Sequence, residues 1–387
     1  MSPPSERRNA PAAPRLLVVL AVAGASVLGL GMALDPTRGF SALLASGFLA
    51  LAAALGALAL LCLFLVSNAG FHVAFKRVLE ALSLVPVGPA ALLAVIPGAG
   101  WVYSWARPGA AADPLIAAKA GYLNLPAFGV RMVLFLGLWG AFALMLRRES
   151  LAQDADGQVR HTRRSVVLAA VFLLLGGYSL SLASVDWLMS AQPHWASTIF
   201  GFYTIGSTLL TGTAVAILAV WWVRRSGRLP EVNESHLHDL GKLLFGFCTF
   251  WAYLWFSQYL LIWYANLPEE TSYILARTRG GWAPLFWGNL VAGWVLPFLL
   301  LLPRAAKRTP ARLVPVAALV LVGRLLDVWL QIAPATLRAG PPVPWVELGA
   351  LVGIGAAFGL VFFRVLGAAP LEPAHDPYLV ESLHHHT

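Results

Sequence analysis

Charge is scarce in this sequence. Asp, Glu, Lys and Arg make up 12% of its 387 residues, about half the share of a soluble globular domain. That deficit excludes a chain folded around one core and solvated on all sides. Cysteine is almost missing. Cys62 and Cys248 are the two present, far apart and in no CxxC or metal spacing, so neither a disulfide framework nor an iron–sulfur or zinc site is encoded. They read as small residues inside helices. None of the nine histidines lies midway along an apolar run, where a b-type haem in a helical bundle would take its ligands. There is no GxxxxGK[ST], HExxH or GxSxG. The expectation is a chain with no metal or covalently bound cofactor and no nucleotide site of its own.

What is abundant is apolar surface. Hydrophobic residues are 59% of the chain and the mean hydropathy is +0.73. Apolar runs of about 18 residues or more recur from end to end, each long enough to cross a hydrocarbon layer of about 30 Å as a helix. Lipid offers no partner to a bare N–H or C=O, so such runs must close their hydrogen bonds internally. The fold class is therefore all-α, a polytopic membrane protein of about ten helices. They are expected at 16–34, 41–66, 82–103, 125–146, 166–184, 197–223, 240–265, 283–302, 313–333 and 345–366. Residues 1–15 form a Pro-rich basic N-terminal segment, 16–366 the membrane domain and 367–387 a short polar tail. The first apolar run is long for a signal peptide and lacks a clear small-x-small cleavage site, so it reads as a retained helix.

The net charge of +9 does not indicate nucleic acid, because the basic residues sit between apolar runs. With the N-terminus in the cytoplasm, eighteen of the 27 basic residues fall in inner segments and six in outer loops, with Arg131, Lys242 and Arg324 inside helices. The positive-inside rule then places both termini in the cytoplasm of a bacterial inner membrane and supports the even helix number. Trp101, Trp105, Trp187, Trp195, Trp282 and Trp345 near outer ends, and Trp221 and Trp222 near an inner end, read as interface belts.

A charge inside a membrane helix costs about 2.5–3.5 kcal/mol on insertion scales, so each one requires a partner or a function. Arg131 lies near the outer end of the fourth helix, and Asp186 ends the fifth. Gln192 and His194 follow in a short outer loop. Tyr253, Gln258 and Tyr259 occupy the middle and outer half of the seventh helix. Arg324 and Asp327 are three apart on the ninth, on one face, where they can pair. Glu347 opens the tenth. A smaller inner set is His236, His238, Asp239 and Lys242, with His72. Structural readings compete for all of these: a self-neutralising pair, a helix cap, a solvated helix start that suits the helix dipole at Asp239. Pro86, Pro89 and Pro97 break the third helix and Pro297 the eighth. Such breaks line cavities in transporters and also occur as simple kinks.

Three longer stretches are specific. Ser184-Val-Asp-Trp-Leu-Met-Ser-Ala-Gln-Pro-His-Trp-Ala-Ser-Thr-Ile-Phe-Gly-Phe-Tyr203, His236-Leu-His-Asp-Leu-Gly-Lys-Leu-Leu-Phe245 and the run from Phe250 to Glu270 resemble the membrane subunits of alternative complex III, of the NrfD/polysulphide-reductase type. The tail from Asp376 to His386 resembles the end of that family's second NrfD-like subunit. The likeness is best over helices five to ten. It implies two four-helix bundles, helices 2–5 and 6–9, flanked by helices 1 and 10. It also implies a quinol:electron-acceptor oxidoreductase. The partners would be a second NrfD-like membrane subunit, an outer-face Fe–S/molybdopterin-like subunit and haem c subunits, with a terminal oxidase as a further candidate and membrane lipid around them. Fe–S clusters and haem c would sit in those partners, and quinol or menaquinol would be the substrate.

Quinol oxidation releases two protons and two electrons, and a site near the outer face needs proton acceptors. Asp186 and His194 are candidates, with Arg324 and Asp327 carrying protons or holding charge. Tyr253, Gln258, Tyr259 and Arg131 are candidates for quinone contact or a proton path. His238, Asp239 and Lys242 can mark an inner proton entrance. A non-catalytic scaffold subunit and a secondary transporter are the alternatives. A transporter concentrates its polar groups at the midplane, whereas these lean outward.

Overall fold

The computed structural model describes residues 14–386, so most of the basic segment 1–15 lies outside the described residues. Among them there is no strand, and ten helical segments are long and apolar enough to span a membrane. We label them α1 (Arg15–Leu34), α2 (Pro36–Val66), α3 (Gly70–Val102), α4 (Leu125–Asp156), α5 (Arg160–Trp187), α6 (Phe200–Arg225), α7 (Glu234–Ala265), α8 (Gly280–Leu301), α9 (Pro310–Thr336) and α10 (Trp345–Leu366). One end of the bundle carries the C-terminal tail and is called the tail end. The other, with the connections at 103–124, 188–199, 266–279 and 337–344, is the loop end.

All ten expected helices are present, and several run further than their apolar runs. α4 continues to Asp156 and α5 starts at Arg160. The apolar run ends where the lipid would end, but these polar residues also form good helix. They pair across the hairpin: His161 Nδ1 to Glu149 at 2.5 Å, and Gln153 Nε2 to Thr162 Oγ1 at 2.6 Å. Gly157 then turns the chain in the left-handed region at φ 68°. α3 is the broken helix its prolines imply. It runs as short α and 3₁₀ pieces, Lys76–Ser83, Val87–Leu93, Ile96–Gly98 and Ala99–Val102.

Helices α2–α5 pack as one four-helix group and α6–α9 as another. α1 lies against α10, and that pair flanks α2 and α3. The two groups meet where α2 crosses α6. A Cβ on Gly56 would stand 2.2 Å from the Thr208 carbonyl oxygen, and one on Gly212 would stand 2.3 Å from the Gly56 carbonyl carbon. Lipid tails are as apolar as leucine, so van der Waals fit between small residues holds such helices together. α2 and α6 are the most enclosed spans.

The tail is folded back over the tail end. Asp376 takes Lys76 Nζ at 2.8 Å, the Ala74 amide donates to Ser382 Oγ at 3.0 Å, and His385 Nε2 meets Asp239 Oδ2 at 2.5 Å. The belt expectation needs correction. Trp101, Trp222 and Trp345 are exposed, but Trp105, Trp187, Trp195 and Trp282 are buried. Trp105 Nε1 donates to Ser190 Oγ at 3.1 Å, and Trp195 stacks on Tyr273 at 3.7 Å. Trp187 packs between helices against Phe48, Phe135 and Trp139, and all four buried tryptophan rings face the protein interior.

Candidate functional site

The densest polar site lies inside the second group, in its loop-end half. It is built around Asp327, 2% exposed. α9 presents Arg324, Asp327 and Gln331 on one face, as spacings of three and four require. Arg324 Nη1 donates to Asp327 Oδ2 at 3.0 Å and Gln331 Nε2 to the same oxygen at 3.2 Å. α6 adds the Tyr203 hydroxyl on Oδ1 and Ser207 Oγ at 3.4 Å from Oδ2. α8 adds Asn289 Nδ2 at 3.2 Å from Oδ1. Five side-chain donors thus converge on one enclosed carboxylate.

Arg324 is 0% exposed. Its guanidinium lies 3.6 Å from the Trp251 ring centroid, a cation–π contact. Room for it comes from the backbone. α8 widens into a π-helical turn at Val291–Val295, a distortion frequent at functional sites. A Cβ on Gly293 there would stand 2.5 Å from Arg324 Nη2 and 3.1 Å from Trp251. Gly293→Ala is therefore expected to cost about 1–3 kcal/mol through overpacking, measured by unfolding in mixed micelles. An unchanged stability would mean that α8 shifts freely past Arg324.

Beside Asp327 is a cavity of about 30 Å³, whose lining includes Tyr203, Gln258, Tyr259, Asn289, Asp327 and Gln331. That is room for one or two waters. Three buried amide oxygens at this cavity, Gln258 Oε1, Asn289 Oδ1 and Gln331 Oε1, have no hydrogen-bond donor. On the α7–α8 side the wall is aromatic: Trp255 stacks on Tyr259 at 5.7 Å and meets Phe286 at 5.1 Å, and half-exposed Trp287 packs beside them.

Arg277 closes the loop-end side and is 2% exposed. Pro334 lacks an N–H, so the Leu330 carbonyl loses its helical partner. Arg277 Nε donates to that carbonyl at 2.8 Å, and Nη2 donates to the Gln331 carbonyl at 3.2 Å. Burial lowers the pKa of this guanidinium, which stays charged. Sequence reasoning counted Arg277 as an outer-loop cation. The signal for its real position was Pro334 itself, a proline inside a helix that leaves a carbonyl to be satisfied.

The structure thus brings Gln258, Tyr259 and Asp327 to one pocket with Arg324 behind Asp327, and adds Tyr203, Ser207, Arg277, Asn289 and Gln331. The other seven expected residues lie outside it, and two of these, Tyr253 and His194, are at the surface. Tyr253 is 64% exposed on the outer face of α7. His194 is on the loop-end surface, where Nε2 meets Asp113 Oδ2 at 2.7 Å. Slight burial raises the Asp113 carboxyl, but hydrogen bonds from His194 and the Leu115 and Ile116 amides outweigh it and hold it below the usual range.

Asp186 and Arg131 pair with each other in the first group. Arg131 Nε reaches Oδ2 at 2.6 Å and Nη2 reaches Oδ1 at 3.1 Å. Asp186 is 0% exposed. Arg131 also lies 3.9 Å from the Tyr122 ring centroid, and burial followed by the Asp186 charge pushes the Tyr122 phenol up to about 12.

At the tail end, Lys242 Nζ and His385 both hold Asp239, at 2.5 Å each, and His236 caps α7 with Asn233. His238 is buried at the same helix start. A second buried cluster lies nearby in the first group. Arg77 Nη1 donates to Glu80 Oε2 at 2.7 Å and to Ser150 Oγ at 2.8 Å, Arg77 also pairs with Asp154, and Arg147 pairs with Glu80. Sequence reading placed Arg77 and Arg147 among the inner loop cations and gave Glu80 no role. The continuation of α3 and α4 beyond their apolar runs carries these groups into the protein.

Among the described residues, no group of three or more His, Cys, Asp or Glu could hold a metal ion. Residues 180–339 match the family model described as polysulphide reductase, NrfD. The match runs from the last turns of α5 through α9, less than half of the chain, and contains the whole Asp327 site. It supports the family likeness read from the sequence over this stretch. No curated protein matches the chain.

Proposed function

We propose that this chain is an integral membrane subunit of a respiratory quinol:electron-acceptor oxidoreductase of the alternative complex III type, in the place of the NrfD-like subunit called ActF, and that the Asp327 pocket receives quinol. The observation that carries this reading is the set of three donorless amide oxygens, Gln258 Oε1, Asn289 Oδ1 and Gln331 Oε1, beside a buried carboxylate. Acceptors without donors call for a ligand that donates. A quinol has two hydroxyls and donates; a quinone only accepts. Each donorless oxygen costs about 1–3 kcal/mol while it stays so, so a hydroxyl there is favoured.

Oxidation of the bound quinol releases two protons and two electrons. The electrons pass to Fe–S clusters and haem c in partner subunits. The protons leave toward the outer face, with Asp327 and Arg324 holding the charge balance and Asp186 offering a second carboxylate in the other group. The tail end would face the cytoplasm of a bacterial inner membrane, since Arg304, Lys307, Arg308 and Arg312 cluster there. The partners would be a second NrfD-like subunit, an outer-face Fe–S subunit and haem c subunits. An aromatic ring does not fit in about 30 Å³, so entry requires Trp255, Tyr259 and Phe286 to swing apart. The same small volume favours a second reading, in which the pocket holds water and serves as a proton station without binding quinol.

The test is purification from the native membrane in mild detergent, with mass spectrometry of co-purifying subunits and assay of quinol-dependent cytochrome c reduction. Gln258→Leu removes an acceptor that makes no bond to the protein. It is expected to raise KM for quinol about two- to tenfold, the worth of one hydrogen bond, with assembly unchanged. Unchanged KM with altered proton release would favour the second reading. A chain that purifies alone without activity would sink both and favour a transporter.

A further inference from the structure

The Asp327 pocket is shut on three sides. On the loop-end side Arg277 is tied to the Leu330 and Gln331 carbonyls. Toward α6 and α9 the Tyr203 hydroxyl and Arg324 hold the carboxylate. Toward the tail end α8 closes on α7. A Cβ on Gly293 would stand 3.1 Å from the Trp251 ring, and further along Phe298 of α8 stacks on Phe245 of α7 at 5.0 Å.

The fourth side is built differently. The first part of α8, Ala283–Leu290, packs on α9, and its backbone stands back from α7. Rings fill the seam. Trp255 and Tyr259 of α7 meet Phe286 and Trp287 of α8, with centroids between 5.1 and 6.4 Å apart. These rings reach from the pocket to the outer surface: Phe286 is 4% exposed and Trp287 45%. Trp287 follows the start of α8 at Gly280 by seven residues, about 10 Å at 1.5 Å per residue. It therefore faces hydrocarbon and not water. The segment is bounded by two places where the helix is irregular. Gly280 lies before it in the left-handed region at φ 59°, and the π-helical turn Val291–Val295 follows it. A few such residues at the ends of an element are what a hinge requires.

We propose that the α7–α8 seam is a side portal, through which the ring of a quinol passes from the lipid into the Asp327 pocket. Ala283–Leu290 swings away from α7 between its two hinges, and Trp287 is the outer gate. The proposal rests on the reading of the pocket as a quinol site. A quinol with an apolar tail is dissolved in the lipid, so its path begins at a lipid-facing wall. Opening any of the other three sides strands a buried charge or pulls packed helices apart. Opening this one separates aromatic rings, and the entering ring replaces their contacts with its own. The motion also carries Asn289, so the pocket is complete only when the portal has closed again.

The test is to tie the seam shut. Tyr259→Cys/Trp287→Cys, in the complex purified from its native membrane and placed in lipid nanodiscs, is bridged with a short bis-methanethiosulfonate. Cys62 and Cys248 are both 0% exposed and do not compete for the reagent. Quinol-dependent turnover is read before bridging, after it, and after a thiol reductant has released the bridge. Bridging is expected to lower turnover at least about tenfold, as for other enzymes whose gating motion is blocked, and the reductant to restore it. Each single-cysteine variant treated with the same reagent is expected to keep its own turnover. Trp287→Ala, with the gate ring removed and no bridge, is expected to raise kcat/KM for quinol about threefold if entry limits it, and Trp287→Phe to return it toward wild type. A bridged protein that turns over as fast as the unbridged one overturns the portal and leaves the quinol reading standing, as does a Trp287→Ala variant with lowered kcat/KM. A wild-type complex without quinol-dependent turnover removes that reading, and the portal with it.

Discussion

Asp327→Ala is expected to lower the unfolding free energy by about 3–5 kcal/mol, the cost of removing one partner from a buried ion pair. Arg324 is 0% exposed, and its Nε and Nη2 already have no hydrogen-bond partner. Without Asp327 only Ser207, at 3.3 Å from Nη1, and the Trp251 face would remain. The penalty is the stranded charge more than the lost bond, so removing both charges should recover much of it. Arg324→Met/Asp327→Leu is therefore expected to be more stable than Asp327→Ala. A double-mutant cycle in mixed micelles measures this, because contacting residues couple by about 0.5–3 kcal/mol. A double variant no more stable than the single would falsify the coupling of the pair.

A second large effect is expected far from that pocket. Glu80 is 1% exposed and takes both Arg77 and Arg147 on Oε2. Glu80→Ala leaves Arg77 with Asp154 and Ser150 and deprives Arg147 of its only ion-pair partner among the described residues. The same argument from an uncompensated buried charge gives a loss of about 3–5 kcal/mol. Glu80→Gln keeps an acceptor oxygen and is expected to lose less. Denaturant titration in mixed micelles separates the two variants. If Glu80→Ala costs under about 1 kcal/mol, the value of an exposed pair, then water reaches the cluster and it is part of the tail-end surface.

The two clusters show where sequence reading reached and where it stopped. Arg324 and Asp327 share one helix, three residues apart, so helical geometry allowed their pairing, and the structure shows it. Arg131 and Asp186 were each picked out as costly charges in a membrane helix, but nothing local joined them. They are 55 residues apart and meet only because α4 packs on α5. Glu80 was passed over for a related reason. It stands beside Lys76 and Arg77 in a stretch that resembles a polar connection, and its burial depends on α4 lying against it. Tyr253 and Tyr259 are six residues apart on one helix, yet the first faces outward and the second lines the cavity. Helical phase was legible there, but the face that would be covered was not.

What the sequence by itself determined was the set of spans and the break in α3. Lipid makes these local properties, because every backbone group in a hydrocarbon layer must be satisfied within its own segment. Only the tertiary structure decided which polar groups meet. Tyr203, Asn289 and Asp327 come from three helices, and Arg277 enters from the short helix Pro268–Thr278 before α8 to satisfy the carbonyl that Pro334 frees. Those meetings depend on how closely small residues such as Gly56, Gly212 and Gly293 let helices approach. With no hydrophobic drive between helices in lipid, that fit is a property of the assembled bundle, and no single run of sequence specifies it.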